Sequence, residues 1–267
     1  MYVIHEMEDA INDCNNGDLT ANDGGPHAWD ETWAFYAGSL EGTDGSGDGV
    51  MPYALADKRC QNFAVCDGDD DGDSLTGTST VNANALDLFQ EGLGYLLTGD
   101  CVSVIKSKNE IVKQMTIPLL QGLLRYFYQA DPNGFGGEDL DKAWGELWAF
   151  AASVLPQIAV CDSAVAATIY ANANINSNSA PMSDGYVALK EQLESVYECL
   201  DVTCADIGGL VTPGTLTYYS GFEPCSDSST RSSKDEFPDW GIALICILAV
   251  ATVAGGLCVW RYRRRNK

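Results

Sequence analysis

Short apolar runs alternate with polar, glycine-rich stretches along most of the chain. Within the runs, apolar residues recur at spacings of three and four, which is the period of an α-helix. Pro118 is expected to kink the longest run because its ring blocks one backbone hydrogen bond. The predicted helices span residues 27–40, 51–66, 83–97, 104–129, 143–155 and 184–200, with an alanine-rich segment at 162–174.

One of these runs occurs twice. HAWDETWAFYAGSL at 27–40 and AWGELWAFAASVL at 143–155 share two tryptophans, an Ala-Phe pair and a glutamate at one offset, since Glu146 lies 115 residues after Glu31. A Tyr-Ala pair and a cysteine follow each copy in the same order. The pattern predicts two units of about a hundred residues that form a pseudo-symmetric, duplicated helical bundle.

The C-terminal part indicates a membrane anchor. Residues 240–260 contain no charge and have a tryptophan at each end, and five basic residues follow within the last seven positions. An apolar stretch of about 20 residues spans a bilayer as a helix, and a basic flank stays in the cytoplasm. We therefore expect a single-pass type I protein of the plasma membrane with an extracellular N-terminal part.

The predicted fold class is mainly α: a pseudo-symmetric, duplicated helical ectodomain with disulfides, plus one C-terminal transmembrane helix. Six parts are expected. They are a polar N-terminal segment (1–26, a loop or the end of a further element), a first repeat unit (27–130), a second repeat unit (131–204), a loop and stalk (205–239), a transmembrane helix (240–260) and a cytoplasmic basic tail (261–267).

Cysteine usage agrees with an extracellular location. Eight of the ten cysteines precede the apolar span, and an even number in an extracellular domain predicts four disulfides, whose pairing is left open. A zinc site is disfavoured because no CxxC pair is present. The opening MYVIHEMEDA lacks the basic and apolar regions of a signal peptide. The sequence is therefore expected to be a processed form, a partial gene product or the C-terminal part of a longer chain.

The charge narrows the classes of partner. The chain carries 38 acidic residues and a net charge of −23, which excludes nucleic acid as a partner and favours cations or simple solubility. No GxSxG, HExxH or P-loop motif is present, and His5 and His27 are the only histidines. We therefore expect a binding protein rather than an enzyme.

The repeated helix contains the first candidate ligand. A carboxylate buried in an apolar helix must be paired, hydrogen-bonded, protonated or bound to a metal, and the alternative to a ligand is a structural glutamate. Glu31 is expected to bind a ligand because His27 precedes it by one turn. Glu146 is expected to serve the fold by pairing with Lys142.

The stretch MPYALADKR at 51–59 supplies further donors. Phenol, carboxylate and imidazole groups suit ferric iron, and an arginine beside them can hold carbonate in a bidentate manner. The alternatives are a core tyrosine and a solvated basic pair. The predicted metal ligands are His27, Glu31, Tyr53 and Asp57, the predicted carbonate ligands are Lys58 and Arg59, and the secondary candidates are Asp30, Tyr36, Glu146 and Tyr170.

The acidic loop DGDDDGDSLTGT at 67–78 imitates a calcium-binding loop. Its aspartates and Gly72 fit the first seven positions, but Thr78 stands where a calcium loop needs glutamate. A solvated acidic loop is the favoured interpretation.

The motifs HAWDETWAFYAGSLEG, PYALADKRCQNF and AWGELWAF together resemble the algal iron-assimilation proteins. These are the low-iron-inducible periplasmic proteins of green algae and the phytotransferrins, or iron-starvation-induced proteins, of diatoms. The resemblance covers residues 27–204. It implies a cell-surface protein that binds Fe(III) with carbonate as synergistic anion, delivers it by endocytosis and meets endocytic or reductase partners. The alternative is an anchored surface protein with a structural or adhesive role and no iron site.

Overall fold

Helices dominate the residues described by the computed structural model, which are 2–38, 50–134, 139–175 and 182–226. The predicted helical class is confirmed. The helices in this part of the chain are α1 (Tyr2–Asn16), α2 (Gly25–Ala37), α3 (Pro52–Phe63), α4 (Thr80–Thr98), α5 (Cys101–Ala130), α6 (Leu140–Cys161), α7 (Ser163–Ala173), α8 (Tyr186–Glu194) and α9 (Cys204–Ile207).

The N-terminal segment forms a helix. Residues 1–26 were expected to be loop or the end of a further element, but α1 occupies most of them and packs against α2. Its buried side chains follow a helical spacing and are Val3, Met7, Ala10, Ile11 and Cys14. This stripe is surrounded by acidic and amide residues, which conceal it in the sequence.

Helix N-termini are capped by polar side chains, as the sequence suggests. Ser79 accepts from the Asn82 amide at 3.1 Å to cap α4. At α6 the cap is Asp139, which accepts from the Lys142 amide at 3.0 Å, rather than the expected Asp141, which lies in the first turn. Such caps satisfy amides that have no partner within the helix.

The core consists of two clusters that share α5. The first joins α1, α2 and α4 to the N-terminal half of α5, and Trp29 and Phe89 are among its members. The second joins the C-terminal half of α5 to α6, α7, α8 and residues 204–222. The chain divides into two compact units, Met1–Cys225 and Ser226–Lys267, and both core clusters belong to the first unit.

The first tryptophan of each repeated helix makes the same kind of hydrogen bond. The indole of Trp29 donates to the carbonyl oxygen of Phe89 at 2.8 Å, and the indole of Trp144 donates to that of Ala130 at 3.1 Å. In both cases the indole bonds the backbone of a neighbouring helix while its ring contributes to a core. The duplication of the whole unit stays a prediction.

Four disulfides tie the helices together. All eight cysteines that precede the apolar span are paired, which confirms the predicted four bridges. The bridges join α1 to α5, the end of α3 to the loop after it, the end of α6 to the segment after α8, and α9 to the last described residues. The pairs are Cys14–Cys101, Cys60–Cys66, Cys161–Cys199 and Cys204–Cys225.

The predicted fold class needs one correction, which concerns the transmembrane helix. Within the described ranges, no helix combines the length and the apolar character that a bilayer span requires. The longest, α5, has enough residues but carries several charges. The segment at 240–260 and the basic tail at 261–267 lie outside the described residues. The described part of the chain is therefore mainly helical with four disulfides, and no membrane-spanning helix is found in it.

Two glycines of α4 provide a matched test of the first core cluster. A Cβ atom at Gly92 would lie 2.1 Å from Cζ2 of Trp29, whereas one at Gly94 would meet no atom within 4 Å. We expect Gly92→Ala to destabilise the protein by about 1–3 kcal/mol through overpacking. Gly94→Ala should stabilise it by about 0.5–1 kcal/mol because alanine favours the helix. Urea unfolding of both variants checks this, and equal midpoints would contradict the packing.

Candidate functional site

His27, Asp30 and Glu31 all lie on the solvent side of α2. His27 Nε2 is 3.5 Å from Glu31 Oε1, and the two side chains are 46% and 48% exposed. The expectation that Glu31 is buried is therefore wrong. Helix α2 buries only the face that carries Trp29, Thr32 and Tyr36, so the acid on its other side is solvated and needs no ligand to stabilise it.

Tyr36, Tyr53 and Asp57 meet in a buried network centred on Asn82. The Tyr36 hydroxyl donates to Asn82 Oδ1 at 2.6 Å, and Asn82 Nδ2 donates to Asp57 Oδ1 at 2.7 Å and to the Tyr53 carbonyl at 3.0 Å. Asp57 Oδ1 also accepts from the Ser79 amide at 2.8 Å, at the start of α4. The network joins α2, α3 and α4.

Through these hydrogen bonds, three of the predicted site residues, Tyr36, Tyr53 and Asp57, hold α2, α3 and α4 together. Burial raises the pKa of Tyr36 far above its ordinary value, and the nearby Asp57 and Tyr53 raise it further. A phenol in that setting keeps its proton, which opposes metal binding. The Asp57 side chain is only 3% exposed, and Oδ1 accepts two hydrogen bonds at the α4 terminus.

Arg59 points the other way from Asp57. Two positions along a helix turn a side chain through about 200°, so Asp57 reaches α4 while Arg59 reaches α5 and α6. Lys58, between them, is exposed. The two predicted carbonate ligands therefore have different surroundings, and only Arg59 faces the interior, where its side chain is 9% exposed.

Arg59 belongs to a cluster of four side chains between α3, α5 and α6. Its Cζ lies 5.6 Å from the centre of the Phe150 ring, which stacks on the Tyr126 ring with centroids 5.5 Å apart. The Cζ of Arg125 lies 5.9 Å from the centre of the Tyr126 ring. We call these four residues, together with Glu146, the arginine junction.

Gly122 allows this stack to form. A Cβ atom on Gly122 would lie 2.3 Å from two atoms of the Phe150 ring. The ring of Phe150 thus rests against the α5 backbone, where it contacts both Tyr126 and Arg59. The absence of a side chain at one position of α5 sets the spacing of the whole junction.

The electrostatics of the junction are unbalanced. Burial lowers the pKa of Arg59 to about 10, and the positive charge of Arg125 adds to that effect. Tyr126 and Glu146 partly oppose the shift, Tyr126 also through a side-chain hydrogen bond. The buried Arg59 guanidinium therefore lies near one further guanidinium and one carboxylate, both of which are partly buried.

Both guanidiniums also retain unused donors. Arg59 Nη1 donates to Asn62 Oδ1 at 3.0 Å. The Nε atoms of Arg59 and Arg125 are buried, and neither has an acceptor within the described part of the chain. Buried N–H groups without acceptors are rare in folded proteins and call for an explanation.

Arg125 and Tyr126 are not among the site residues that the sequence predicts. A signal was available, because Arg125 is the only charge in the apolar run IPLLQGLLRYFY at 117–128. A lone charge within a buried helix requires a partner, as was argued for Glu146. The structure brings Glu146 into the electrostatic environment of Arg59.

The remaining candidates lie elsewhere. Tyr170 is exposed on α7, with its ring 5.7 Å from that of Trp148. In the acidic loop, carboxylates of Asp67, Asp69 and Asp71 come within 4.8 Å of one another, and all three residues are exposed. Asp67 Oδ1 accepts from the Gly72 amide at 2.8 Å, as a turn of this sequence allows.

Comparison with known proteins identifies the family of this chain. The model of the Fea1 family, described as low iron-inducible periplasmic protein, matches residues 1–214. The chain belongs to this family. The matched range contains every residue of the arginine junction and confirms the resemblance to the low iron-inducible periplasmic proteins. No curated protein and no solved structure matches the chain significantly.

Membership of the low iron-inducible periplasmic proteins agrees with the covalent structure. The family name places its members outside the cytoplasm, where disulfides form and persist. All four bridges of this Fea1 protein fit that compartment.

Proposed function

We propose that this protein captures ferric iron outside the cytoplasm, with carbonate as synergistic anion, as the first step of an uptake route that ends in endocytosis. This is the phytotransferrin mode of iron assimilation. Family membership gives the link to iron limitation. The observation that carries the proposal is the arginine junction, where a phenol and a carboxylate act on the charge of Arg59, and where Arg59 and Arg125 each keep a buried N–H group without an acceptor among the described residues.

The donor chemistry of the junction suits ferric iron. Fe(III) is a hard cation that favours anionic oxygen donors, and Tyr126 and Glu146 can provide a phenolate and a carboxylate. Guanidinium groups bind planar oxyanions through paired N–H donors. Arg59 and Arg125 would therefore hold the carbonate, while Tyr126 and Glu146 bind the metal.

Charge balance explains why the anion is needed. A ferric ion brings three positive charges into a junction that already has an excess of positive charge. Carbonate brings two negative charges, and loss of the Tyr126 phenolic proton adds a third. Loading with both ions therefore leaves the net charge of the junction unchanged, whereas iron alone would add uncompensated positive charge to a partly buried site.

The other predicted donors support this site less well. His27 and Glu31 are half exposed on the outer side of α2, whereas Asp57 accepts from the Ser79 amide at the start of α4 and Tyr36 donates to Asn82. Iron binding at either place would require the loss of existing bonds or would leave the metal in open solvent.

Matched glutamate variants test the proposal. Glu31 and Glu146 occupy equivalent positions in the repeated helix, but only Glu146 lies at the junction. Equilibrium dialysis with radioactive ferric iron and bicarbonate should show binding at least tenfold weaker for Glu146→Gln, a loss of about 1.4 kcal/mol. Glu31→Gln should bind like the wild type.

Two outcomes would contradict the proposal. Loss of iron binding in Glu31→Gln with full retention in Glu146→Gln would move the site to α2. Absence of iron binding by the wild-type protein, with and without bicarbonate, would favour a structural or adhesive surface protein.

A further inference from the structure

Four aromatic side chains pack together at the C-terminal end of α5, and none of them belongs to the arginine junction. Tyr128 of α5 contacts Tyr186 at the start of α8, and it also contacts Tyr219 and Phe222 from the segment after α9. Phe222 is buried, whereas each of the three tyrosines is partly exposed. The proposed function makes no use of these three phenols, which we call the tyrosine cluster.

The phenol groups of the tyrosine cluster are near one another. Burial raises the pKa of Tyr128, and the phenols of Tyr219 and Tyr186 raise it further. The larger of these two effects comes from Tyr219. Because such an effect weakens with distance, the contact between the rings brings their hydroxyl groups close together as well.

The ring geometry favours one pair of the cluster. The ring centres of Tyr128 and Tyr219 are 4.7 Å apart, and their planes meet at 34°. The ring of Tyr186 lies 5.2 Å from that of Tyr128 but is nearly perpendicular to it, at 85°, and its hydroxyl donates to the Ser220 carbonyl oxygen at 3.2 Å. Two phenols couple most readily when their faces overlap, so Tyr128 and Tyr219 are the suitable pair.

We infer that Tyr128 and Tyr219 form a site of oxidative cross-linking, where a haem peroxidase and hydrogen peroxide join the two rings through a carbon–carbon bond. Each phenol gives one electron and its hydroxyl proton to the oxidant and becomes a tyrosyl radical. The radicals pair to form a bond between two Cε atoms, and the hydrogen on each of these carbons then moves to the oxygen of its own ring. The O–O bond of the peroxide breaks, and the two electrons and two protons convert it to two molecules of water.

The surroundings of the pair favour this coupling over competing reactions. All eight cysteines of the described residues are in disulfides, so none of them is a thiol that could reduce a tyrosyl radical. The family name places the protein outside the cytoplasm, in an oxidising compartment. The fold also holds the second ring against the first, which favours coupling within one molecule over coupling between molecules.

The cross-link would fasten the C-terminal segment in a second way. Tyr219 lies within the loop that the Cys204–Cys225 bridge closes, and Tyr128 belongs to the helix that both core clusters share. A carbon–carbon bond between them would keep this segment attached to α5 under conditions that reduce the disulfide. Its formation needs neither bound iron nor carbonate, so the inference is independent of the proposed function.

Peroxidase treatment of the full, iron-free chain at low protein concentration tests the inference. We expect the fluorescence of coupled tyrosine to appear while the protein stays monomeric on a reducing gel. Mass spectrometry of a protease digest should then find one linked pair of peptides that contains Tyr128 and Tyr219. This pair should be lighter than the sum of the two peptides by a pair of hydrogen atoms.

Matched phenylalanine variants assign the cross-link. Tyr128→Phe and Tyr219→Phe each keep the ring but remove the phenol, so the fluorescence should fall at least tenfold in both. Tyr186→Phe is the control from the same cluster, and it should fluoresce like the wild type. Circular dichroism identifies any variant that does not fold, and the other variant of the pair then decides.

The results that would overturn the inference are specific. Full fluorescence in Tyr219→Phe, linked peptides that contain Tyr186 in place of Tyr219, or cross-linked dimers without any internal link would each do so. Treated wild type that yields no linked peptide would have the same consequence. Iron binding is measured separately on untreated protein, so its absence would overturn the proposed function and leave the cross-linking site in place.

Discussion

Replacement of Tyr126 by phenylalanine should abolish the visible absorption of the iron-loaded protein and weaken iron binding at least tenfold. A ferric phenolate absorbs in the visible region through charge transfer from the phenolate oxygen to the metal, and phenylalanine has no such oxygen. The ring itself stays in place, because its stack with Phe150 uses only carbon atoms. The free energy of unfolding should therefore change by no more than about 1.5 kcal/mol, the usual range for one hydrogen bond.

Two other tyrosines serve as controls for this experiment. Tyr170→Phe changes an exposed residue of α7, and Tyr53→Phe removes the hydroxyl of a residue that joins the Asn82 network through its backbone carbonyl. Both variants should keep the absorption band when iron and bicarbonate are added. If Tyr126→Phe kept the band while Tyr53→Phe lost it, the metal site would have to be assigned to α2 and α3, where the donor pattern of the sequence first indicated it.

Removal of the Cys14–Cys101 bridge should have the largest effect on stability. The two cysteines are 87 positions apart, so the bridge closes a long loop and strongly restricts the unfolded chain. Loop-closure entropy gives a loss of about 4–5 kcal/mol when both cysteines are replaced by serine. The bridge also fixes α1 to the start of α5, so α1 should lose protection in hydrogen exchange first.

The Cys60–Cys66 bridge is the matched comparison. Its cysteines are only 6 positions apart, and the same entropy argument gives a loss of about 2 kcal/mol. Denaturant unfolding of the two double-serine variants measures both values. A smaller effect for Cys14–Cys101 than for Cys60–Cys66 would show that loop length does not control stability in this fold.

Periodicity was enough to predict most of the helices. The stripes at 83–97 and 104–129 became α4 and α5, because their apolar residues face the two core clusters. The stripe of α1 has the same period, but it is shorter and lies beside a run of Asn, Asp and Gly. Composition therefore suggested a loop, whereas packing against α2 makes it a helix.

The site was harder to predict because it depends on contacts between distant segments. Arg59 was chosen from its neighbours in the sequence, yet its actual partners, Arg125, Tyr126 and Phe150, come from α5 and α6. Hydrophobic pattern alone also could not separate Glu31 from Glu146, since both stand in the same motif. The difference arises because α2 lies at the surface, whereas α6 is packed between α5 and α7.

The location of bound iron can be measured directly by anomalous scattering from crystals grown with ferric iron and bicarbonate. Data collected on both sides of the iron absorption edge should show a peak within bonding distance of the Tyr126 hydroxyl oxygen and the Glu146 carboxylate, with planar density between Arg59 and Arg125. A peak at Asp67, Asp69 and Asp71, or between His27 and Glu31, with none at the arginine junction, would contradict the assignment.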